Sequence, residues 1–226
     1  MKEKISGAEA HIFIDGFDPE KIITYTGTPK LTEPGQWYFI FKKGETSNFP
    51  YDGSIIRAPS AANAQQIALV QGDEIYPVDM NRVCKTSADV SWEEGTIDTS
   101  DDCDPGSNIL DGIVQVSGNI SKLFRFNNIT QEFDNITDIL MSRFVDTVMD
   151  DGSGVYDVSV RDNGTVYMLV NLNSNAKVGQ IENWIFIPIL ISTLGMSWGN
   201  TDAQNQSISF KQGEGRPLRY AVPRTA

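Results

Sequence analysis

Over residues 113–126 the chain alternates with a period of two. Val114, Val116, Gly118, Ile120, Phe124 and Phe126 share one side, with Lys122 the single exception. Gln115, Ser117, Asn119, Ser121 and Arg125 share the other. Successive side chains of a β-strand point to opposite faces, so the pattern predicts a strand with one face buried and one wet. Its length, about 14 residues, exceeds the usual five or six. A strand of that length is expected to extend through a large sheet or to cross a subunit boundary.

The rest of the chain carries similar signals. Strands are expected at residues 10–14 and 21–26, with Gly16 and Pro19 between them, and at 36–42 behind Pro34-Gly35. Others are expected at 74–79, 83–92 and 207–211. Residues 155–160 and 165–170 flank Asn163-Gly164, which predicts a hairpin. A strand at 184–192 contains Pro188, which points to an edge or a bulge. One helical stripe stands out within 131–149: Phe133, Ile136, Ile139, Leu140, Phe144, Val145, Val148 and Met149. Asn128 with Gln131 resembles a capping box for it, and residues 150–154 are expected to end it. Residues 44–71 read as a long loop and 212–226 as an extended tail. The expectation is a single, mainly β domain over 1–226, a β-sandwich or barrel with one flanking amphipathic helix and long loops.

Charge narrows the function. The formal net charge is -12 and the isoelectric point about 4.4. A field of that sign repels nucleic acid and anionic membrane. The longest apolar run, residues 184–191, is short of the roughly 18 residues that a span needs. Residues 1–10 lack the apolar stretch of a signal peptide, so synthesis and folding in a cytoplasm are expected. Cys84 and Cys103 are the only cysteines and read as two thiols ahead of a structural disulfide.

Catalytic patterns are missing. The single histidine, His11, sits in a strand pattern between Ala10 and Ile12, which suits a plain strand position better than a general base. No Gly-x-Ser-x-Gly, Walker A, Gly-x-Gly-x-x-Gly or His-Glu-x-x-His occurs. Asp98, Asp101, Asp102 and Asp104 could hold calcium by spacing, but they lack the glycine and terminal glutamate of an EF-hand loop. A solvated or interface-facing acidic loop is the better reading. No enzyme activity, cofactor or metal is expected.

The distribution of charge is more telling. No Lys or Arg lies between Lys85 and Lys122, a stretch that holds Asp89, Glu93, Glu94, Asp98, Asp101, Asp102, Asp104 and Asp111. The last segment carries Lys211, Arg216, Arg219 and Arg224 against Glu214 alone. Two solvated loops of opposite sign would satisfy this pattern. The sharper expectation is that Asp98, Asp101, Asp102 and Asp104 of one copy meet Arg216, Arg219 and Arg224 of the next, in a head-to-tail contact that makes rings or filaments.

Residues 94–104, a Thr/Asp-rich stretch, lead through Pro105-Gly106 into Leu110-Asp-Gly-Ile-Val-Gln-Val-Ser-Gly-Asn-Ile-Ser121. Together with the helical stripe, the Asn163-Gly164 turn and the late strands, this order resembles the major tail tube proteins of tailed bacteriophages over about residues 86–211. Residues 36–80 are longer and less regular than in a minimal tube protein. The resemblance implies hexameric rings whose sheets join into one barrel and stack into a tube. DNA would pass through that tube without specific binding, beside other tail proteins, in a virion and with no membrane involved. Gln115, Ser117, Asn119 and Ser121 are then the candidates for a lumen-facing or polar sheet face. A tail terminator, a distal tail protein and a carbohydrate-binding β-sandwich are the alternative readings.

Overall fold

In the computed structural model of the protein, the alternating segment is a strand of 15 residues, Ile109–Leu123. Val116, Gly118, Ile120 and Lys122 are buried, Gln115, Ser117 and Asn119 are exposed, and Ser121 is half-buried. The structure describes residues 10–27, 35–42, 54–57, 69–98, 109–123, 126–127, 132–145, 147–150, 152, 156–159, 165–197, 204–213 and 217–224. Among these lie β1 (His11–Asp15), β2 (Ile23–Thr24), β3 (Trp37–Phe41), β4 (Ser54–Arg57), β5 (Glu74–Pro77), β6 (Asn81–Arg82), β7 (Lys85–Asp98) and β8 (Ile109–Leu123). They are followed by β9 (Phe126–Asn127), β10 (Glu132–Phe133), α1 (Asn135–Met141), β11 (Thr147–Asp150), β12 (Tyr156–Ser159), β13 (Val166–Asn171), β14 (Ile181–Ser197), β15 (Asn205–Gln212) and β16 (Leu218–Pro223). The protein is mainly β, as the sequence pattern requires.

Packing divides the chain into two units. The first comprises Met1–Val83, Gly164–Pro188 and Gly213–Ala226, the second Cys84–Asn163 and Ile189–Gln212. In the first unit, β2-β5-β3-β4 form one sheet, while β6, β1, β13 and the start of β14 follow one another in another, with β16 against β14. β3 reads Trp-Tyr-Phe-Ile-Phe, apolar at every position, and is buried on both faces. Its Trp37 and Phe39, with Ile55, Tyr76 and Val78, pack on Tyr167 and Leu169 of β13 and on Trp184 and Phe186 of β14. This is sheet-on-sheet packing, the sandwich expected from the sequence. Trp37 lies 4.9 Å from Phe186 and 5.4 Å from Trp184 between ring centroids, both T-shaped. Such pairs add about 0.5–1.5 kcal/mol each beyond the area they bury.

The second unit holds β7, β8, β15 and the rest of β14 in that order, with α1 and the ribbons β9–β10 and β11–β12. Register is fixed by the alternation, because a slip of one residue would put the apolar face in water. Ile120 therefore sits opposite Ile208, and Gly118 opposite Phe210. Ile208, Phe210, Val116 and Ile120 are buried, as are Ile136 and Leu140 of α1.

Five sequence expectations change. The helix occupies Asn135–Met141 and not 131–149. Phe133 belongs to β10, Val148 and Met149 belong to β11, and Phe144 and Val145 are exposed beyond the helix. The apolar spacing also fits a strand there, and β-branched Val145, Thr147 and Val148 favour one. The cap is Asp134, whose side chain accepts from the Thr137 N–H at 2.8 Å; Asn128 and Gln131, the expected capping pair, lie outside the described residues.

The hairpin about Asn163-Gly164 does not form as a strand pair. β12 pairs with β11 (Val148↔Val158), across a turn in which Gly152 has φ +82°, and β13 pairs with β1 (Ile14↔Met168) and neighbours β14. β13 is buried throughout and so takes partners on both sides, while the mixed Tyr-Asp-Val-Ser of β12 suits a two-stranded ribbon. Pro188 lies in an interior strand of 17 residues, neither at an edge nor in a bulge. It falls where β14 changes partner, between Phe186↔Leu218 and Ile189↔Gln212, so its missing N–H interrupts neither ladder on that side. Finally, the expected loop at 44–71 contains β4, paired with β3, and the expected tail at 212–226 contains β16.

Candidate functional site

The wet side of the second unit's sheet is built from rows of small polar side chains. Ser121 of β8 lies opposite Ser207 of β15 on one side and Ser87 of β7 on the other. Asn119 likewise lies between Ser209 and Asp89, and Ser117 between Lys211 and Ser91. The hydroxyl of Ser209 donates to Asn119 Oδ1 at 2.7 Å, and Asn119 Nδ2 donates to Asp89 Oδ2 at 3.4 Å, linking three strands. β14 continues two of the rows with Gly195 opposite Ser207 and Thr193 opposite Ser209. A Cβ on Gly195 would stand 2.5 Å from Ser207 Oγ, so the hydroxyl leans over a position that only glycine leaves open. The four expected residues Gln115, Ser117, Asn119 and Ser121 thus share one face. Ser87, Asp89, Ser207 and Ser209 join them. Their alternation is visible in the sequence, but the register that aligns them is not.

At one end of this face an open groove of about 460 Å³ is lined by Thr86, Ser87, Ser121, Gly195, Ser197 and Ser207, among others. Its lining supplies hydroxyls and amides without a charged group. No group of three or more His, Cys, Asp or Glu close enough to hold a metal occurs among the described residues.

Among the described residues, β7 closes one end of the strand order and pairs with β8 alone. It is 14 residues long. Thr86, Ser87, Ala88, Asp89, Ser91, Trp92 and Glu93 are all exposed, on both faces of the strand. Trp92 is 47% exposed, which is unusual for the largest apolar side chain.

The expected charge contact is split by the structure. Asp98 is the last residue of β7, opposite Ile109. Asp101, Asp102, Asp104, Arg216 and Cys103 lie outside the described residues. Cys84 is an exposed free thiol. Arg219 is exposed and donates to Asn183 Oδ1 at 2.8 Å. Arg224 donates from Nη1 to the carbonyls of Ser174 and Ala176 at 2.7 and 2.8 Å, so within one chain it already has partners.

Two buried polar clusters were not foreseen. Lys122, the exception on the apolar face, reaches Asp134 Oδ2 at 2.9 Å and Thr137 Oγ1 at 2.9 Å, and so ties the sheet to the cap of α1. Burial works against the Asp134 carboxylate, but Lys122 and the Thr137 N–H outweigh it and hold its pKa below the ordinary carboxylate value. In the first unit Asp15 is fully buried. It accepts from the Tyr76 hydroxyl at 2.7 Å, the Phe17 N–H at 2.6 Å and the Asp79 N–H at 2.5 Å. Burial is the larger effect and pushes its pKa up to about 6, with those three donors pulling the other way. The Phe17 N–H bond helps hold Phe17 at φ +46°, an uncommon backbone for a side chain of that size.

No protein-family profile matches the sequence, and no curated protein matches it. Among the solved structures that resemble the fold weakly are two particle components. One is a virion of a native gene transfer agent particle, at a TM-score of 0.36 and 9% identity, covering 60% of this chain and 84% of that chain. The other is a tail of an empty gene transfer agent particle with C6 symmetry, at 0.33 and 10%, covering 59% and 80%. Overlaps this low establish neither a common fold nor a common role.

Proposed function

We propose that the chain is a non-enzymatic structural protein of a phage-like tail, which assembles with its own copies into stacked hexameric rings and forms a tube that conducts DNA. The observation that carries this reading is β7. A 14-residue strand, exposed on both faces along residues 86–93 and paired on one side among the described residues, is a poor way to end a sheet in a protein that works alone. A second copy laid along it would continue the sheet and cover Trp92. The rows of Ser, Thr and Asn beside it suit a lumen wall, since they are mostly neutral, with one lysine, Lys211, and one aspartate, Asp89, among them, and the net charge of -12 repels phosphate. The family resemblance in the sequence supports the same reading.

Negative-stain microscopy and light scattering of the purified protein test it. Tubes, or rings that stack with concentration, are the expected result. A monomer at all concentrations refutes the proposal, and single rings that never stack favour a terminator or distal tail protein. The charge contact has its own test. Arg216 and Arg219 changed to Glu should weaken assembly at low salt, and Asp98, Asp101 and Asp102 changed to Lys should restore part of it. Arg224 is left intact because it has partners within the chain. Unchanged assembly of the double Glu variant removes the contact from the proposal.

A further inference from the structure

Glu182 of β14 is a buried carboxylate, its side chain 4% exposed, held by groups from two distant parts of the first unit. Arg57 of β4 donates from Nη1 to Oε2 at 2.5 Å, and Trp184 Nε1 donates to the same oxygen at 3.2 Å. Arg224, just beyond β16, has its Nη1 3.5 Å from Oε1. The two arginines lie in or just beyond short strands that pack on the core through Ile55 of β4 and through Leu218, Tyr220 and Val222 of β16. β4 is four residues long, and among the described residues it pairs with β3 alone and β16 with β14 alone. Each arginine has further anchors near the carboxylate. Arg57 lies 5.9 Å from the Trp37 ring centroid and bonds the Gly35 carbonyl at 3.4 Å, while Arg224 bonds the carbonyls of Ser174 and Ala176.

We propose that Glu182 is a shared clasp: it fastens β4 and the C-terminal strand β16 to the same point, so that losing its charge releases both strands while the sheet beneath them stays closed. A buried carboxylate facing two guanidiniums is the only negative group in the contact, and an isosteric amide there leaves two cations facing a neutral group. β16 has a second hold on the unit through Tyr220, 5.3 Å from Phe186 and 5.9 Å from Trp37. Release is therefore a local opening and not global unfolding. The clasp does not depend on the assembly proposed above, and its test uses the isolated chain.

Hydrogen exchange resolved by segment is the experiment. In Glu182→Gln, amides of β4 and β16 should exchange about tenfold faster or more, while those of β13 keep the parent's rate. Arg57→Met should speed β4 alone and Arg224→Met should speed β16 alone. These two variants keep the carboxylate and one partner, and they decide the matter if the Gln variant does not fold. Faster exchange of only one strand in Glu182→Gln overturns the proposal. So does equal acceleration of β13, and so does an arginine variant that speeds neither strand.

Discussion

Gly118 gives the most exacting test of the second unit's packing. It stands in β8 on the buried face, opposite Phe210 of β15 and Val90 of β7. A Cβ built there would lie 2.2 Å from the Asp89 carbonyl oxygen and 2.7 Å from Phe210 Cζ. The second clash can be relieved by turning the ring. The first cannot, because the obstacle is backbone on the neighbouring strand. Glycine inside a strand ordinarily costs about 0.5–1 kcal/mol relative to alanine, so Gly118→Ala would stabilise an open site. Forcing a methyl group into a packed one costs about 1–3 kcal/mol. We expect the clash to win, with a net loss of about 1–2 kcal/mol. Urea denaturation is the assay, and a lower midpoint at unchanged slope is the expected result. Combining the change with Phe210→Leu should recover only part of the loss. A Gly118→Ala protein as stable as the parent would show that β7 does not approach β8 as closely as described, and the edge-strand argument would fall with it.

Two further predictions concern the buried charges. The pKa of Asp15 in the folded chain, about 6, lies above its ordinary value of 3.8, so the folded state binds the proton more tightly. Stability should rise as the pH falls from about 6 to about 4, by at most about 3 kcal/mol, and Asp15→Asn should abolish that slope; parallel pH profiles for the two proteins would refute the assignment. Asp134 has the opposite sign, so its contribution is present above the ordinary carboxylate pKa and is lost as the pH falls through its lowered value. Lys122 is 2% exposed and Asp134 32%. Asp134→Ala therefore strands a buried cation and removes a cap, costing about 3–5 kcal/mol. Lys122→Met leaves a carboxylate that water can reach, and should cost about 1–3 kcal/mol. Thermal melts that rank the two the other way would refute this asymmetry.

What could be read from the sequence follows the range of the interactions. Alternation along β8, the dense apolar run of β3 and the Ser-Ile-Ser-Phe pattern of β15 depend only on which face of one strand is dry, so they were legible. Lys122 looked like a flaw in the pattern because its partner is twelve residues on, at a cap whose position depends on where α1 begins. The helix was overextended because apolar spacing from Phe144 to Met149 serves a helix stripe and a strand equally well. The Asn163-Gly164 signal was read as a pairing rule, although it specifies only a local reversal. The partners of β13 are the edges of β1 and β14, which lie elsewhere in the sequence and which no local pattern names. The polar candidates on β8 were found, but the rows that complete them need the cross-strand register. Glu182 carried no local sign of its two arginines, 125 residues before and at the end of the chain.

The clustered rings of the first unit have a spectroscopic consequence. Trp37 and Trp184 are both buried, in van der Waals range of one another, and set among Phe13, Phe186 and Tyr220. Indoles fixed at such distances in a chiral surround give strong near-ultraviolet dichroism and blue-shifted emission. Trp92, exposed on β7, gives red-shifted emission and is open to soluble quenchers. Trp198, the fourth tryptophan, lies outside the described residues, so in a Trp198→Phe protein the optical signal separates into a rigid component that follows the sandwich and a quenchable one that follows the edge strand. Iodide titration during assembly reads the second while the dichroism holds the first as an internal reference.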